Sequence, residues 1–318
     1  MRNVELRHLR YFIAVAQAGS VVGGARAVGI VQPALSRQIL ELEAAIGTPL
    51  LARKARGVQL TEAGESFLRD AEKLLADLQA GRDRALRCAA GELGELRLGV
   101  LPNYLSSAVM TKVLRAFRAS FPEVKVSVDP MLSAEQAAAI RNRQIDGGIM
   151  AWRRDEAPHL RGVVLLSDRF VLAMPASQGV RRTKPKRLAD LADLPFVWFD
   201  TGRSPAHHRF LMRQCERAGF TPCVTQVGSD IPTVLGLVSA GMGCAFVPES
   251  LSTVCPPTVR LVPLHEVADR FDVEFAFDEK VATPVVARFV QVLQQVIGDG
   301  EQAPRLQSAY RQIMPRHP

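Results

Sequence analysis

Three side chains near the start of the chain are of types and spacing that could bind nucleic acid. Gln32, Ser36 and Arg37 would share one face of a helix, because residues four apart lie above one another on a helix. An amide, a hydroxyl and a guanidinium can bond to base edges or to phosphate oxygens. For Arg37, a solvated surface position is the alternative. This segment is therefore a candidate DNA-contacting surface, provided that a helix presents it.

The charge distribution favours the same part of the chain. The 318 residues carry a formal net charge of +8, and residues 1–60 hold eight basic against three acidic side chains. A basic excess of this kind favours a polyanionic partner. Arg53, Lys54 and Arg56 lie near the tip of a segment, residues 47–60, that looks like a small β-wing. We expect these three to supply salt-sensitive phosphate affinity rather than base reading.

Three short helices with a tight turn are predicted around these residues. Apolar residues recur at helical spacing from Leu6, and Gly19 would end that first helix. Ser20 is placed to cap the second helix, which the Gly23-Gly24 pair should weaken. The third helix opens at Gln32-Pro33, with proline in the first turn, where its missing N–H does no harm. This outline is that of a helix-turn-helix.

A long helix is predicted to follow, from Thr61 to about Cys88. Its apolar seam alternates spacings of four and three, at Phe67, Ala71, Leu74, Leu78, Gly81 and Ala85. Such a heptad pattern is suited to pairing with a second copy of the same helix. Packing of this face on the helix's own domain is the alternative. We expect a dimer, because nothing before residue 60 is large enough to cover such a length.

The rest of the chain alternates between strand and helix patterns, which is typical of parallel α/β sheets. Strands are predicted at residues 96–101, 124–128, 147–152, 170–174, 195–199, 244–248 and 273–277. The last of these strands and the helix at 284–297 should return to the first lobe, which gives two lobes with a cleft. We predict a DNA-binding domain at 1–60, a linker helix at 61–90, a two-lobed domain at 91–300 and a tail at 301–318. Lobe one comprises residues 91–165 and 269–298, and lobe two comprises residues 166–268.

Motifs in the first 64 residues carry a resemblance to a known family. HLRYF (8–12), QPALSRQI (32–39), LE (42–43) and LTEAG (60–64) form a long spaced set. In these motifs the chain resembles the LysR-type transcriptional regulators, and its length, linker helix and two-lobed domain resemble the same family.

The resemblance implies an all-α winged helix-turn-helix, a long linker helix that forms dimers, and commonly tetramers. It also implies an α/β effector domain of two Rossmann-like lobes, similar to the periplasmic substrate-binding proteins. By position, it places Gln32, Pro33, Ser36 and Arg37 on the recognition helix and Arg53 in the wing.

The same resemblance places a small-molecule effector between the lobes, at loop-to-helix junctions. The matching segments indicate Ser106, Ser107 and Ser133 as effector contacts, with an opposite wall formed by Phe199, Thr201 and Pro248. For each serine, a helix cap without a ligand is the alternative. An organic anion is the expected effector, since free N–H donors and helix dipoles favour anions.

One position departs from the pattern of carboxylate-binding members, which sometimes carry an arginine at the end of the third strand. Ala151-Trp152 stands there in this chain. Either Arg153 substitutes for that arginine, or the effector is not a plain aromatic carboxylate.

Other chemistries find less support in the sequence. The five cysteines form no metal-ligand spacing, and no nucleophile and base are arranged as in an enzyme. His207-His208 lacks a third ligand at a convincing spacing, and we expect both histidines to be exposed on a loop that enters a helix. Cys215 resembles the resolving cysteine of a peroxide-sensing member, but Ala206 stands near the peroxidatic position. Redox sensing and effector-independent DNA binding remain the alternatives.

The expected partners follow from these observations. The N-terminus lacks the apolar region of a signal peptide, which argues against an exported binding protein. No stretch approaches the length of a membrane span. We expect a cytoplasmic protein with no cofactor, metal or membrane partner, which binds double-stranded DNA and a small-molecule effector as a homodimer or homotetramer. RNA polymerase is a further candidate partner.

Overall fold

A computed structural model describes residues 4–54, 57–176, 185, 187–253, 255–264, 266–267 and 269–298. The chain divides between Arg87 and Cys88 into two compact units. The predicted wing residue Arg56 and the predicted tail, 301–318, lie outside the described residues. In the part of the chain that is described, no helix combines the length and the apolar character that crossing a bilayer requires.

The first unit contains three short helices, a hairpin and one long helix. They are α1 (Leu6–Ala18), α2 (Val21–Val28), α3 (Gln32–Ile46), β1 (Leu51–Arg53), β2 (Val58–Leu60) and α4 (Glu62–Ala89). Gly19 ends α1 with left-handed backbone at φ 63°, and Ser20 Oγ accepts the Gly23 N–H at 3.1 Å as the cap of α2. An apolar core joins the three short helices and packs against the wing; its buried residues are Phe12, Val15, Ala25, Leu35, Ile39, Leu42 and Leu50. The predicted helix-turn-helix is therefore present, together with a β-hairpin.

The Gly23-Gly24 pair has a packing role that helix propensity alone does not reveal. A methyl group at Gly24 would lie 2.9 Å from Cα of Val15, and one at Gly23 would lie 2.8 Å from Oγ of Ser20. Both distances are well inside normal nonbonded contact. The pair therefore lets α2 pack closely on α1, which offsets the weakening that we expected from two glycines in one helix.

The wing is fastened to α3 by the side chain of Glu43. Its Oε1 atom accepts the N–H groups of Leu50 and Leu51 at 2.8 and 3.0 Å. At the far end of the hairpin, the Val58 N–H donates to the Gly19 carbonyl at 2.9 Å. Gly57 is required there, because it has φ 94° and a side chain would collide with that carbonyl. Glu43 and Gly57 thus fix the position of the wing on the helices.

The long helix α4 begins at a cap and continues as a partly unburied apolar face. Thr61 Oγ1 accepts the Gly64 N–H at 2.9 Å and donates to the Pro49 carbonyl at 2.8 Å. In the seam of this helix Ala71 is buried, whereas Leu74 and Leu78 are 55% and 47% exposed. The first unit therefore covers only the start of the seam.

The second unit is built on one mixed sheet that both lobes share. Its strands are β3 (Gly94–Val100), β4 (Val124–Pro130), β5 (Gly147–Ala151), β6 (Arg161–Pro175), β7 (Pro195–Phe199), β8 (Cys223–Gly228), β9 (Ala245–Pro248), β10 (Val259–Val262) and β11 (Arg270–Phe277). The order in the sheet is β10-β6-β11-β5-β3-β4, with β9 also on β6 and with β7 and β8 as a separate pair.

Helices cover this sheet. They are α5 (Ala108–Ser120), α6 (Ser133–Arg141), α7 (Arg153–Glu156), α8 (Pro205–Arg217), α9 (Ile231–Ser239) and α10 (Pro284–Gly298). The buried faces of α5, α8 and α10 share one large apolar core, in which Phe117 of α5 meets Phe289 of α10 edge to face at 5.3 Å. α9 and α6 pack in two smaller apolar clusters.

The strand β6 passes from one lobe to the other. Its residues 161–169 pair with β11, and its residues 170–175 pair with β9 and β10. All these pairings are antiparallel, and β11 also pairs with β5 in the antiparallel direction. The prediction of parallel sheets is right for β3, which pairs with β4 and β5, and for the pair of β7 and β8. It is wrong for the pairings of β6 and β11. The strands that connect the lobes must run back and forth between them, which imposes the antiparallel pairing. β11 and α10 return to the first lobe, as predicted.

Replacing Glu43 with Ala should destabilise the first unit. Two N–H groups at the start of the wing would lose a charged acceptor, which we expect to lower the free energy of unfolding by about 2 kcal/mol. Urea unfolding monitored by circular dichroism measures this change. Glu41→Ala is the matched control, because Glu41 bonds only to side chains of its own helix. Equal stability of the two variants would contradict the anchoring role of Glu43.

Candidate functional site

The first candidate site is the exposed face of α3. Gln32, Pro33 and Arg37 are exposed and Ser36 is half-buried, while Leu35, Ile39 and Leu42 hold the opposite face in the core. The helix starts at Gln32 with proline in its first turn, as predicted. The structure therefore brings these four predicted DNA contacts together on one accessible surface.

The charges at this surface are free to meet a partner. The side chain of Arg37 is 80% exposed. Its Nε atom lies 2.9 Å from a carboxylate oxygen of Glu41. A pair this open to water is weak, so a phosphate or a guanine could replace the carboxylate at little cost. Arg53 and Lys54 are exposed on the hairpin, at the end of β1 and just after it. The predicted contact Arg56 lies outside the described residues.

The second candidate site is a cavity between the two lobes. Its empty space measures about 550 Å³ when the open mouth is included. Residues from both lobes line it: Leu101, Pro102, Asn103, Tyr104, Leu132, Ser133, Ala151, Trp152, Phe170, Phe199, Ser204, His207, Asp230, Ile231, Pro248 and Phe271. The lining is mainly apolar and aromatic, with a few polar groups.

A stack of aromatic rings forms one side of this cavity. Phe170 of β6 and Phe271 of β11 stack with their centroids 4.8 Å apart, and Trp152 stacks on Phe271 at 5.0 Å. The ring of His207 lies parallel to that of Phe170 at 5.1 Å. These rings come from both lobes and from α8, so the stack joins the two lobes at the cavity.

His207 differs from what the sequence suggested. It is only 8% exposed, lies on α8 rather than on a loop, and lines the cavity, so the expectation of an exposed histidine is wrong for this residue. Its neighbour His208 is half-buried and accepts the indole N–H of Trp198 at 2.9 Å. Helical spacing explains the difference, because position 207 shares the inner face of α8 with Phe210 and Leu211.

The environment of His207 keeps its imidazole neutral. Burial lowers its pKa to about 4, with a further contribution from nearby His208. The Nε2 atom is enclosed, and it has no hydrogen-bond partner among the described residues. A buried polar nitrogen without a partner is costly, so a group that bonded to it would stabilise the fold.

A second polar group lies beside the stack. Asp168 is buried, and it accepts the Tyr104 hydroxyl at 2.9 Å and the N–H groups of Arg169 and Ser250 at 2.8 and 3.3 Å. Burial and the Asp168 carboxylate raise the pKa of Tyr104 well above its usual value. Tyr104 therefore presents a neutral ring to the cavity, and its hydroxyl is already used.

The structure brings only some of the predicted effector residues to the cavity. Ser133, Phe199 and Pro248 line it. Ser106 is exposed and Ser107 caps α5 by accepting the Met110 N–H, so the structure gives both serines other surroundings. Thr201 is exposed and is absent from the lining. Three residues that line the cavity were not predicted from the sequence: His207, Trp152 and Phe271. Trp152 and Phe271 are aromatic residues at or near the ends of predicted strands, and that position could have indicated them.

Arg153 does not take the place of the arginine found in carboxylate-binding members. Its guanidinium forms a two-bond pair with Glu274, at 2.9 and 3.2 Å, and donates to the Leu160 carbonyl at 2.8 Å. Glu274 is buried and Arg153 is half-buried. Arg153 is thus a structural residue that joins α7 to β11.

The cysteines and histidines of the described residues do not form a reactive cluster. Burial raises the pKa of both Cys215 and Cys244 to about 12, so their thiols stay protonated at neutral pH, and protonated thiols are poor nucleophiles. Across the described ranges, no three His, Cys, Asp or Glu side chains are placed to hold a metal ion. The alternative of redox sensing therefore gains no support from the buried cysteines.

Acid should destabilise the protein through His207. Its pKa in the folded chain, about 4, is below the ordinary value of 6.5, so the unfolded chain binds more protons between these values. Lowering the pH from 7 to 5 should therefore reduce the free energy of unfolding of both proteins by different amounts. The reduction should be about 2 kcal/mol larger for the native protein than for His207→Phe. Urea unfolding at both pH values measures this, with exposed His159→Phe as control. An identical pH dependence in native protein and His207→Phe would show that His207 titrates normally.

Comparison with known protein families matches a part of each compact unit. Residues 6–65 match the family model of the bacterial regulatory helix-turn-helix protein, lysR family. Residues 89–298 match the model of the LysR substrate binding domain. The first match lies in the first unit and the second match lies in the second unit.

Similar proteins carry related names. The HTH-type transcriptional regulator YnfL of Escherichia coli K12 is 35% identical over 265 residues, which are 83% of this chain and 89% of that protein. The regulator TdfR of Cupriavidus pinatubonensis is 33% identical and covers 91% of this chain and 97% of its own length. Both relatives are transcriptional regulators rather than enzymes.

Solved structures show the same architecture. The crystal structure of CbnR, a LysR family transcriptional regulator, has a TM-score of 0.76 at 30% identity, over 91% of this chain and all of that one. Full-length CbnR complexed with its target DNA gives 0.77 at 29% identity, over 92% and 99%. The chain therefore belongs to the LysR family of DNA-binding transcriptional regulators, with a winged helix-turn-helix, a linker helix and a two-lobed effector-binding domain.

Proposed function

We propose that this regulator reads an operator through α3 and changes its hold on DNA when a small molecule binds between the lobes. The observation that carries the proposal is the pair of accessible sites: a DNA-facing helix surface in one unit and a lined cavity in the other. A ligand that prefers one conformation of the cavity would shift the population of that conformation and so the operator affinity.

The DNA contacts are assigned by the chemistry of the exposed side chains. Gln32 would bond to an adenine edge or a phosphate, Ser36 to a phosphate or base, and Arg37 to a phosphate or a guanine. Pro33 would set the entry of α3 into the major groove. Arg53 and Lys54, together with Arg56 from the sequence prediction, would add phosphate contacts, which weaken as salt is raised.

The protein would act as a dimer or tetramer. Leu74 and Leu78 leave about half of their surface in contact with solvent on α4, and a second copy of this helix would cover them. Two copies would present two α3 helices to an operator of two half-sites. We place this regulator in the cytoplasm, where its DNA is, with RNA polymerase as a candidate partner at the promoter.

Arg37→Ala should weaken site-specific binding to the operator. Loss of one base or phosphate contact should weaken operator affinity about tenfold or more. A footprint over the upstream region of its own gene, with random competitor DNA, measures the loss. Arg118→Ala is the matched control, since it removes the same charge from an exposed position on α5. Unchanged specific protection by Arg37→Ala would show that α3 is not the recognition helix.

Leu78→Asp should break the dimer. A carboxylate on the apolar seam would have to be buried without a partner, which should raise the dimer dissociation constant by about tenfold or more. Sedimentation velocity over a concentration series measures the shift. Ala76→Asp introduces the same charge at an exposed position outside the seam and should leave the dimer intact. A dimer unaffected by Leu78→Asp would place the interface elsewhere.

A further inference from the structure

The described lining of the cavity between the lobes contains no positively charged side chain. None of its described lining residues is a lysine or an arginine, whereas Asp230 adds a carboxylate. Bonds from the Thr233 N–H at 2.7 Å and from the Ser229 hydroxyl lower the pKa of Asp230, so it stays ionised. Among the described lining residues, an anion would therefore meet a like charge and no cationic side chain.

Arginines next to the lining residues are already engaged. Arg153 follows Trp152 and pairs with Glu274. Arg203 precedes Ser204 and pairs with Glu135 at 2.8 Å. Arg169 precedes Phe170 and forms two bonds to Glu249. Arg270 precedes Phe271 and donates to the Ser167 carbonyl at 2.7 Å. Each guanidinium thus has a partner in the protein, and none of the four arginines belongs to the described lining of the cavity.

The aromatic lining favours a flat ligand. Four rings of the stack are nearly parallel: those of Trp152, Phe170, Phe271 and His207. The angle between the planes of stacked neighbours is at most 26°. Phe199 meets His207 from the side at 5.3 Å. A planar aromatic molecule can extend such a stack and bury its faces, which an aliphatic chain does less well.

His207 supplies one site for a polar bond. The imidazole is neutral, Nε2 has no partner, and the residue lines the cavity. A neutral imidazole nitrogen either accepts from a hydroxyl or donates to a carbonyl, depending on its tautomer. Nε2 is enclosed in this structure, so a ligand would reach it only after neighbouring side chains move. Either bond would then satisfy the atom without bringing a charge into the apolar cavity.

We infer that the effector is an uncharged planar aromatic compound with a hydroxyl or carbonyl group that bonds to Nε2 of His207. This inference rests on the proposed function, because it gives a chemical class to the ligand of the regulatory cavity. It replaces the organic anion that helix N-termini alone led us to expect.

Four probes of similar shape and different charge test the ligand class. They are phenol, acetophenone, benzoate and benzylamine, each titrated into the full chain at pH 7.5 with isothermal calorimetry and thermal unfolding as readouts. We expect phenol or acetophenone to bind and to raise the melting temperature with concentration. Preference for benzoate or for protonated benzylamine, or binding of none of the four at millimolar concentration, would overturn the inference.

His207→Phe tests the role of the nitrogen, because it keeps a flat ring in the stack. This variant should bind the neutral polar probe about fivefold more weakly than the native chain does. Toluene has no polar group and should bind both proteins alike, which shows that the cavity of the variant is intact. Equal affinity of the two proteins for the polar probe would remove His207 from the site.

The operator footprint of the same preparations separates this inference from the proposed function. A protein that protects its operator but binds none of the neutral probes would contradict the ligand class alone. A protein that binds phenol or acetophenone at His207 but protects no DNA would contradict the assignment of α3 as the recognition helix.

Discussion

The stacking of Phe170 on Phe271 is the contact on which the second unit depends most. It lies where β6 changes partners, since residue 169 still pairs with β11 and residue 170 already pairs with β9. The two strands that connect the lobes therefore meet through these rings. Trp152 and His207 extend the stack to the end of β5 and to α8. Elements of both lobes are held against one apolar surface.

This surface accounts for the chemistry of the cavity. The rings exclude water from His207, and a desolvated imidazole is held neutral. Close to the rings, the Tyr104 hydroxyl donates to Asp168 and is therefore already used within the protein. Because β6 and β11 cross between the lobes, a ligand that inserts against the stack would act on the strands that set the angle between them. A change in the cavity has a structural route to the rest of the unit.

The DNA-binding unit solves a comparable problem with polar bonds. A small wing cannot bury enough apolar surface to fix itself, so its backbone is held by the Glu43 carboxylate and by the Gly19 carbonyl. Glu43 belongs to the LE motif and Gly64 to the LTEAG motif. The recurring motifs of this region thus have a structural reason besides DNA contact, since they set the wing against α3.

Much of this architecture could be predicted from the sequence. Periodicity located α1, α3 and α4 and the buried strands, because each buries a regular apolar face. The strand β8 was not predicted from the sequence, because most of its residues are exposed. The first part of β6 was also not predicted, because no helix pattern separates that segment from the strand predicted at 170–174. The site was less predictable. Loop-to-helix position led to Ser106 and Ser107, whereas the burial of His207 depends on how α8 packs on strands distant in sequence.

The central claim is that the stack keeps His207 uncharged and shielded from water. Nuclear magnetic resonance of the full chain with ¹⁵N-labelled histidine, assigned with His207→Phe, measures its titration directly. The structure predicts that the His207 imidazole stays neutral from pH 8 down to pH 5, and that it takes up a proton only near pH 4. Protonation of His207 near pH 6.5 would show that water reaches the ring, and would contradict an uncharged cavity.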